Sequence, residues 1–332
     1  MSTMPVLRRR SASLFLLFVL LVASSCVGGT ASGGSGQGPA FSSAATPPPQ
    51  ETPSPTPTRV PPQSIRLAGG ARGSAYDGYA KAVAEVWMAR VPGLKVTVLN
   101  TDGPADNLRL LDAGAADAAL TRDDLAELAA NKLAPFGGEG SHPIRAAALA
   151  ALYQESVQII VAADSNIRNT RDLVGRRVST PPADSAAYIT LWQVLRAGNF
   201  RAADFGQITG MTDANAAVAY RDKRIDVILT TAAGPVPAIQ EAVKQRPARL
   251  ISLSDDYRDL VQQRDGTLHD TTVPAGSYQG QEGPAETVGA LGILVVRRDL
   301  PIDAAYTLAK ALVEGRDDLA ARDPSGPRPH YQ

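Results

Sequence analysis

Short runs rich in β-branched residues alternate with longer helical patterns from residue 64 to about residue 315 of this chain. The run at residues 64–68 passes through a glycine-rich turn, residues 69–74, into a helical pattern over residues 76–90. A strand, a turn and a helix in this order form a βα unit, and its repetition is typical of a mainly parallel sheet covered by helices. The pattern predicts an α/β fold. By itself it leaves open whether the sheet is single or divided between two lobes.

Later segments continue the alternation. We predict strands at residues 116–120, 157–162 and 288–297, a separate apolar run at residues 146–153, and helices at residues 186–197 and from residue 302 to about 315. The glycine that follows several of these helical patterns suits a left-handed helix end.

The N-terminus has the layout of a secretory signal. Arg8, Arg9 and Arg10 precede an apolar stretch, residues 14–23, and small residues lead into Cys26. This ending resembles the lipobox of bacterial lipoproteins, which implies a signal peptide at residues 1–25 and a lipid on Cys26. The alternatives are a plain cleaved signal with a spare Cys26, or a transmembrane anchor, for which the apolar run is short.

Residues 26–62 are rich in Gly and Ser and then in Pro and Thr, a composition typical of a flexible to semi-extended tether. The sequence therefore predicts an extracytoplasmic protein that a lipid anchors to the cell membrane. About 270 residues remain, enough for one large or two ordinary domains.

Composition argues against several functions. Basic and acidic residues balance at 33 each, so no overall charge recruits nucleic acid. Cys26 is the only cysteine, and the three histidines, His142, His269 and His330, show no metal-ligand spacing. The sequence contains no G-x-S-x-G elbow, P-loop or H-E-x-x-H motif. We expect no metal, no cofactor and no enzymatic activity.

An ordered set of segments resembles the TAXI family of solute-binding receptors of TRAP-type transporters. The segments include the glycine-rich turn through residue 76, DGPADNL at residues 102–108, ALYQE at residues 151–155, DLVGRRV at residues 172–178, and VPAGSYQGQ at residues 273–281. Residues 111–114, 116–120, 225–228 and 234–239 belong to the same set. The resemblance extends over nearly the whole body, roughly residues 65–315.

The resemblance implies a two-lobed α/β fold of the type II periplasmic-binding-protein kind, in which each lobe is a mixed sheet flanked by helices and hinge strands join the lobes. Lobe 1 would comprise residues 63–154 plus 286–332 and lobe 2 residues 155–285, with crossovers near Glu155 and Thr287. Such a receptor captures a small carboxylate-bearing solute, here a glutamate-like amino acid or a dicarboxylate, and delivers it to TRAP-type membrane subunits.

Two other functions stay open. A lipoprotein of the same fold could sense a ligand and signal to a membrane partner such as a histidine kinase, and a more remote alternative is an enzyme acting on cell-wall or small-molecule substrates. The loop at residues 181–188 departs from the Gly-Ser-Gly-Thr turn usual in the family, which puts the ligand class in doubt.

The candidate ligand-binding residues lie at predicted helix starts, strand ends and the crossover. They are Arg72, Gly73, Ser74, Tyr76, Asn107, Arg122, Glu155, Ser185, Ala186, Gly234 and Pro235.

Helix N-termini favour anions, so Gly73 and Ser74 are expected to approach a carboxylate, although Ser74 alone also fits a simple helix cap. Arg72 and Arg122 are candidate carboxylate clamps, with solvated surface arginines as the alternative. The turn at residues 69–73 could instead cradle a phosphate.

Glu155 could accept a hydrogen bond from a ligand ammonium or brace the hinge. Tyr76 and Asn107 offer polar groups to the cleft, with core packing and helix surface as their alternatives. Ser185, Ala186 and the Gly234–Pro235 turn would form the wall of the second lobe. The pair Asp123 and Asp124 is interpreted only as helix N-terminal charge.

Overall fold

The computed structural model describes residues 63–183 and 185–322. The predicted signal peptide, Cys26 and the whole predicted tether lie outside the described residues, as do Asp184 in the altered loop and His330. The ten described strands are β1 Ser64–Ala68, β2 Lys95–Leu99, β3 Ala118–Arg122, β4 Ala146–Ala162, β5 Arg177–Thr180, β6 Gln207–Gly210, β7 Val227–Ala232, β8 Ala248–Leu250, β9 His269–Val273 and β10 Ala285–Arg297. The nine described helices are α1 Ala75–Arg90, α2 Pro104–Asp112, α3 Asp123–Ala130, α4 Ala186–Ala197, α5 Asp213–Arg221, α6 Pro237–Val243, α7 Asp255–Arg264, α8 Ile302–Glu314 and α9 Arg316–Ala321.

The strands form one sheet in the order β2-β1-β3-β10-β4-β7-β5-β6, with β8 paired to β4 and β9 paired to β10. At each end of the sheet three parallel strands share one arrangement, in which the first strand of the three lies in the middle. We call β2, β1 and β3 with their helices the first half and β7, β5 and β6 with theirs the second half. Strands β4 and β10 lie between the halves and run antiparallel to each other.

Both central strands run through the cores of the two halves. Tyr153 of β4 packs in a cluster of the first half, whereas Val157 and Ile159 of the same strand pack in a cluster of the second half. In β10, Leu294 belongs to the first half and Val288 to the second. The predicted two-lobed α/β fold with shared crossing strands is confirmed. The expectation of separate segments at residues 146–153 and 157–162 was wrong, because they form one strand of 17 residues.

Alternate residues of the strands point to opposite faces of the sheet, and helices cover both faces. In β4, Val157, Ile159 and Val161 join one cluster, while Ile160 and Ala162 join another on the opposite face. This doubly covered sheet explains why the strands are apolar runs rather than alternating patterns.

The same Arg–Asp clamp ties the central parallel strand to its neighbour in each half. Arg66 donates from its backbone N–H and Nε to Asp117 Oδ2, both at 2.9 Å. Arg177 binds Asp226 Oδ2 through the same two atoms, at 3.0 and 3.1 Å. The side-chain hydrogen bonds from these arginines lower the pKa of both aspartates, so the clamps are ion pairs at neutral pH.

The helices begin at conventional caps. Ser74 and Ser185 cap α1 and α4 with their hydroxyl oxygens, and prolines stand in the first turns of α2 and α6. In residues 63–183 and 185–322, none of the helices combines the length and the apolar character that a membrane span requires.

Candidate functional site

A buried cluster of polar side chains lies where the first half, strand β4 and the start of α4 meet. It is built around Arg122, the last residue of β3, which has no exposed surface. Glu155 comes from the middle of β4 and Tyr76 from the first turn of α1. These elements converge because the carboxyl ends of parallel strands, and the helices that follow them, share one edge of a sheet.

Arg122 is held by two carboxylates. Its Nε and Nη2 donate to the two oxygens of Asp124, at 3.0 and 2.8 Å, in a bidentate pair. Its Nη1 donates to Glu155 Oε2 at 2.9 Å. The other Glu155 oxygen accepts a hydrogen bond from the Tyr76 hydroxyl at 2.8 Å.

The guanidinium also reaches α4 of the second half. Arg122 Nη2 donates to the carbonyl oxygen of Ala186 at 3.0 Å. The Thr190 hydroxyl accepts from Arg122 and donates to Asp124. Ala186 packs against the core of the first half. The cluster therefore links β3 and β4 to the helix at the start of the opposite half.

The charges of the cluster are fixed by their mutual attraction. Burial lowers the pKa of Arg122, but the attraction of Asp124 and Glu155 outweighs that effect and raises it above its ordinary value. Burial, reinforced by the negative charge of Glu155, raises the pKa of Tyr76 well above its ordinary value. Arg122 is thus a cation and Tyr76 a neutral donor at any physiological pH.

A second set of contacts, from the first half to β9 and β10, lies beside the cluster. Asp123 Oδ2 is 2.8 Å from His269 Nε2 of β9, and Asp123 Oδ1 accepts from the backbone N–H of Leu291 in β10 at 2.8 Å. Partial burial raises the pKa of Asp123, and the hydrogen bond with His269 opposes that rise. The acidic pair does occupy the first turn of α3, as expected, and in addition Asp123 contacts β9 and β10.

The glycine-rich turn before α1 already holds a carboxylate of the protein. The Gly73 N–H donates to Asp77 Oδ2 at 2.8 Å, and Lys81 Nζ binds the same oxygen at 2.7 Å. Ser74 Oγ accepts from the Asp77 N–H at 3.2 Å as a helix cap. Arg72 is exposed on this turn. The turn can bind an anion, and the anion found there is Asp77.

Asn107 is buried, and its side-chain amide spans two strand ends. The Nδ2 group donates to the carbonyl oxygens of Gly69 and Leu120, both at 2.6 Å. These bonds join the turn after β1 to β3. In this structure the amide positions the strands that carry Arg122.

The residues predicted from the second half form a separate set of contacts. Ser185 caps α4, accepting from the Tyr188 N–H at 3.2 Å and donating to the Pro182 carbonyl at 2.7 Å. The carbonyl of Gly234 accepts from Gln158 Nε2 at 2.9 Å. Pro235 is half-buried just before α6.

The structure thus brings four of the eleven predicted residues into one network, namely Tyr76, Arg122, Glu155 and Ala186. Sequence reasoning missed Asp124 and Thr190. The spacing of Arg122 and Asp124 was visible, but Thr190 gave no signal because it follows Arg122 by 68 positions.

The charged side chains immediately around Arg122 are acidic. Asp123, Asp124 and Glu155 carry carboxylates, and Arg122 is the buried cation among the described residues. All three nitrogens of Arg122 already donate to protein groups. The arrangement can therefore bind a cationic group at Glu155, while helix N-termini remain suited to a carboxylate.

Comparison with known proteins identifies the family. The model of the NMT1-like family matches residues 67–327, and the chain belongs to that family.

Solved structures with a similar fold include three binding proteins. The chain is similar to the periplasmic aliphatic sulphonate-binding protein SsuA from Escherichia coli, with 18% identity over 79% of this chain and 73% of that one and a TM-score of 0.46. A TctC solute-binding protein from Polaromonas has 17% identity over 78% and 88% of the two chains, with a TM-score of 0.48. The probable amino-acid ABC transporter extracellular-binding protein YtmK from Bacillus subtilis has 16% identity over 79% and 98%, with a TM-score of 0.47.

Proposed function

We propose that this protein is an extracytoplasmic solute-binding receptor that captures a small carboxylate-bearing solute between two lobes and delivers it to TRAP-type membrane subunits. The observation that carries the proposal is the bridge from Arg122 to Ala186 and Thr190, which joins the first half to the first two turns of α4. The solute is released chemically unchanged, and no cofactor takes part.

The proposed lobes are residues 63–154 plus 286–332 and residues 155–285, which hinge on β4 and β10. A solute that touches both lobes only when they are closed shifts the population toward the closed state. The Arg122 bridge contributes to the same state, because its contacts with α4 exist only when the lobes meet. The membrane subunits would then recognise the closed shape.

Between the two solute classes that the sequence left open, the charges favour a glutamate-like amino acid over a dicarboxylate. Glu155 accepts one hydrogen bond on each oxygen, from Tyr76 and from Arg122, and a carboxylate oxygen can accept a second. A solute ammonium beside Glu155 would offset the surplus of negative charge. The solute carboxylate would bind the N-terminal end of α4, which Ser185 caps, because the turn before α1 already holds Asp77.

A thermal-shift screen of the mature protein tests this proposal. L-glutamate at 100 times its dissociation constant should add about 2.7 kcal/mol to the free energy of unfolding. For a body of this size that corresponds to a rise of about 5–10 °C in Tm. Succinate, sharing the carboxylates but lacking the ammonium, should give a clearly smaller rise.

Two variants distinguish specific binding of glutamate in the cleft from nonspecific stabilisation of the protein by the added acid. Glu155→Gln should remove the response to glutamate, whereas Glu314→Gln on the exposed face of α8 should preserve it. A protein that responds to sugars or metal cations and to no acid would contradict the proposal.

We further propose that a lipid on Cys26 anchors the receptor and that residues 26–62 act as its tether. Cys26→Ala should move the protein from the membrane fraction to the soluble extracytoplasmic fraction, as measured by fractionation and immunoblotting. Ser25→Ala, next to it, is the matched control and should stay at the membrane. Continued membrane association of the Cys26→Ala variant would show that something other than a lipid holds the protein.

A further inference from the structure

A pocket of about 430 Å³ lies between helices α2 and α3 and the central strands β4 and β10, away from the Arg122 cluster. Its lining is mixed: the half-buried Ile144 and Ile293 supply apolar surface beside several alanines and polar groups, and Leu108 and Val295 are buried. The residues Ala130 and Asn131 at the end of α3 also line it, whereas Arg122 precedes the start of that helix. Eight helical residues span about 12 Å, so the two sites are separate.

Two arginines line this pocket from neighbouring strand ends. In the ladder between β4 and β10, Ala146 pairs with Arg297. Arg145 precedes Ala146 and Arg298 follows Arg297, so the two arginines flank the last pair of this ladder, and both line the pocket. Like charges at neighbouring positions repel each other, and the counter-charge of a bound anion would relieve that repulsion.

The protein does not supply that counter-charge among residues 63–183 and 185–322. Neither Arg145 nor Arg298 has an ion pair or side-chain hydrogen bond there. By contrast, Arg297, which precedes Arg298, forms ion pairs with Asp117 and Asp299. The one carboxylate lining the pocket, Glu127, accepts from Asn131 Nδ2 at 2.6 Å. The pocket lining therefore has a net charge of +1, with two guanidinium groups against one engaged carboxylate.

We propose that this pocket binds a small amphipathic carboxylate, an acyl chain of about eight carbons, as a second site independent of the cleft. The two guanidinium groups hold the carboxylate, since their planar forks match its oxygens. The hydrocarbon covers the half-buried Ile144 and Ile293, and pockets of this volume hold ligands of that size. Inorganic phosphate can pair with the guanidinium groups, but it has no hydrocarbon to pack against the apolar side chains of the pocket.

Calorimetric titration of the mature protein with octanoate tests the site, with inorganic phosphate and octanol as partial ligands. Octanoate should bind at least tenfold more tightly than either. Arg145→Gln and Arg298→Gln should each weaken octanoate binding about tenfold, which corresponds to a loss of about 1.4 kcal/mol of binding free energy. The double variant should show no binding.

Arg171→Gln is the matched control, an exposed arginine of the second half, and it should bind octanoate as the wild type does. The variants replace exposed side chains, and circular dichroism checks that they fold. Unchanged octanoate binding in the double variant, or equal binding of phosphate and octanoate, would overturn the proposal. Because glutamate binding in the cleft is measured separately, loss of either site leaves the other test intact.

Discussion

Replacement of Arg122 by alanine should lower the free energy of unfolding by about 3–5 kcal/mol. The substitution removes a fully buried cation and leaves the carboxylates of Asp124 and Glu155 without their partner. Removing one member of a buried ion pair is costly mainly because the other member stays buried and uncompensated. The midpoint of thermal unfolding should fall by about 10 °C for a chain of this size.

Urea unfolding at neutral pH, followed by circular dichroism, measures this loss. Arg316→Ala is the control, because the Arg316 side chain is 80% exposed and its pair with Asp317 lies in water. It should change stability by less than about 0.5 kcal/mol. An Arg122→Ala variant as stable as this control would show that the cluster contributes nothing to folding.

A double substitution identifies the cause of the loss. If orphaned carboxylates dominate, Arg122→Ala combined with Asp124→Ala should cost less than the sum of the two single changes. If the lost volume dominates, the costs should simply add. The first outcome is expected, since the bidentate pair between Arg122 and Asp124 is the shortest charge contact of Arg122, at 2.8 Å.

The sequence predicted the features that depend on neighbouring residues, and it missed those that depend on residues far apart in the chain. Helix α1 was predicted at residues 76–90, and the structure has it at Ala75–Arg90. The prediction was accurate to one residue because the helical period, the serine cap and the apolar face are all local signals. Strand β10 begins at Ala285, three residues before the predicted start. The residues within each of these segments are sufficient to predict its secondary structure.

The Arg122 cluster depends on contacts that no local signal reveals. The hydrogen bond from Tyr76 to Glu155 joins residues 79 positions apart, and the contact of Arg122 with Thr190 joins residues 68 positions apart. The topology brings them together by passing β4 through both halves of the sheet. The family resemblance placed the crossover near Glu155, but the residues alone could not name its partners.

The acidic pair at the start of α3 shows the same limit at a single site. Interpretation as helix N-terminal charge was correct locally, since Asp123 and Asp124 do lie in the first turn. Their tertiary contacts are with His269 of β9, Leu291 of β10 and Arg122 of β3, and the first two are 146 and 168 positions from Asp123 in sequence. A local rule explains why an aspartate is tolerated, while tertiary contacts decide what it binds.

The second large effect is expected at Gly289 of β10, where the two crossing strands approach closely. A Cβ at this position would lie 1.9 Å from the carbonyl oxygen of Glu155. Gly289 faces Ser156 of β4 on one side and His269 of β9 on the other, so β10 cannot move away from one neighbour without pressing on the next. Gly289→Ala should therefore lower the free energy of unfolding by about 3 kcal/mol, because the backbone must shift to relieve the clash.

Gly266→Ala is the matched control for Gly289→Ala. It adds the same methyl group where no atom lies within 4 Å, and it should be neutral or slightly stabilising. Urea unfolding of both variants gives the comparison, and equal stability would show that β4 and β10 separate without cost.

The Gly289 clash should also displace residues of the Arg122 cluster. The atom that a new methyl group would strike belongs to the backbone of Glu155, whose carboxylate binds Arg122 and Tyr76. A shift of that backbone displaces the carboxylate from both partners, so Gly289→Ala should weaken glutamate binding as well as folding. Glycine at this position keeps the crossing strands close enough for residues of one half to meet α4 of the other.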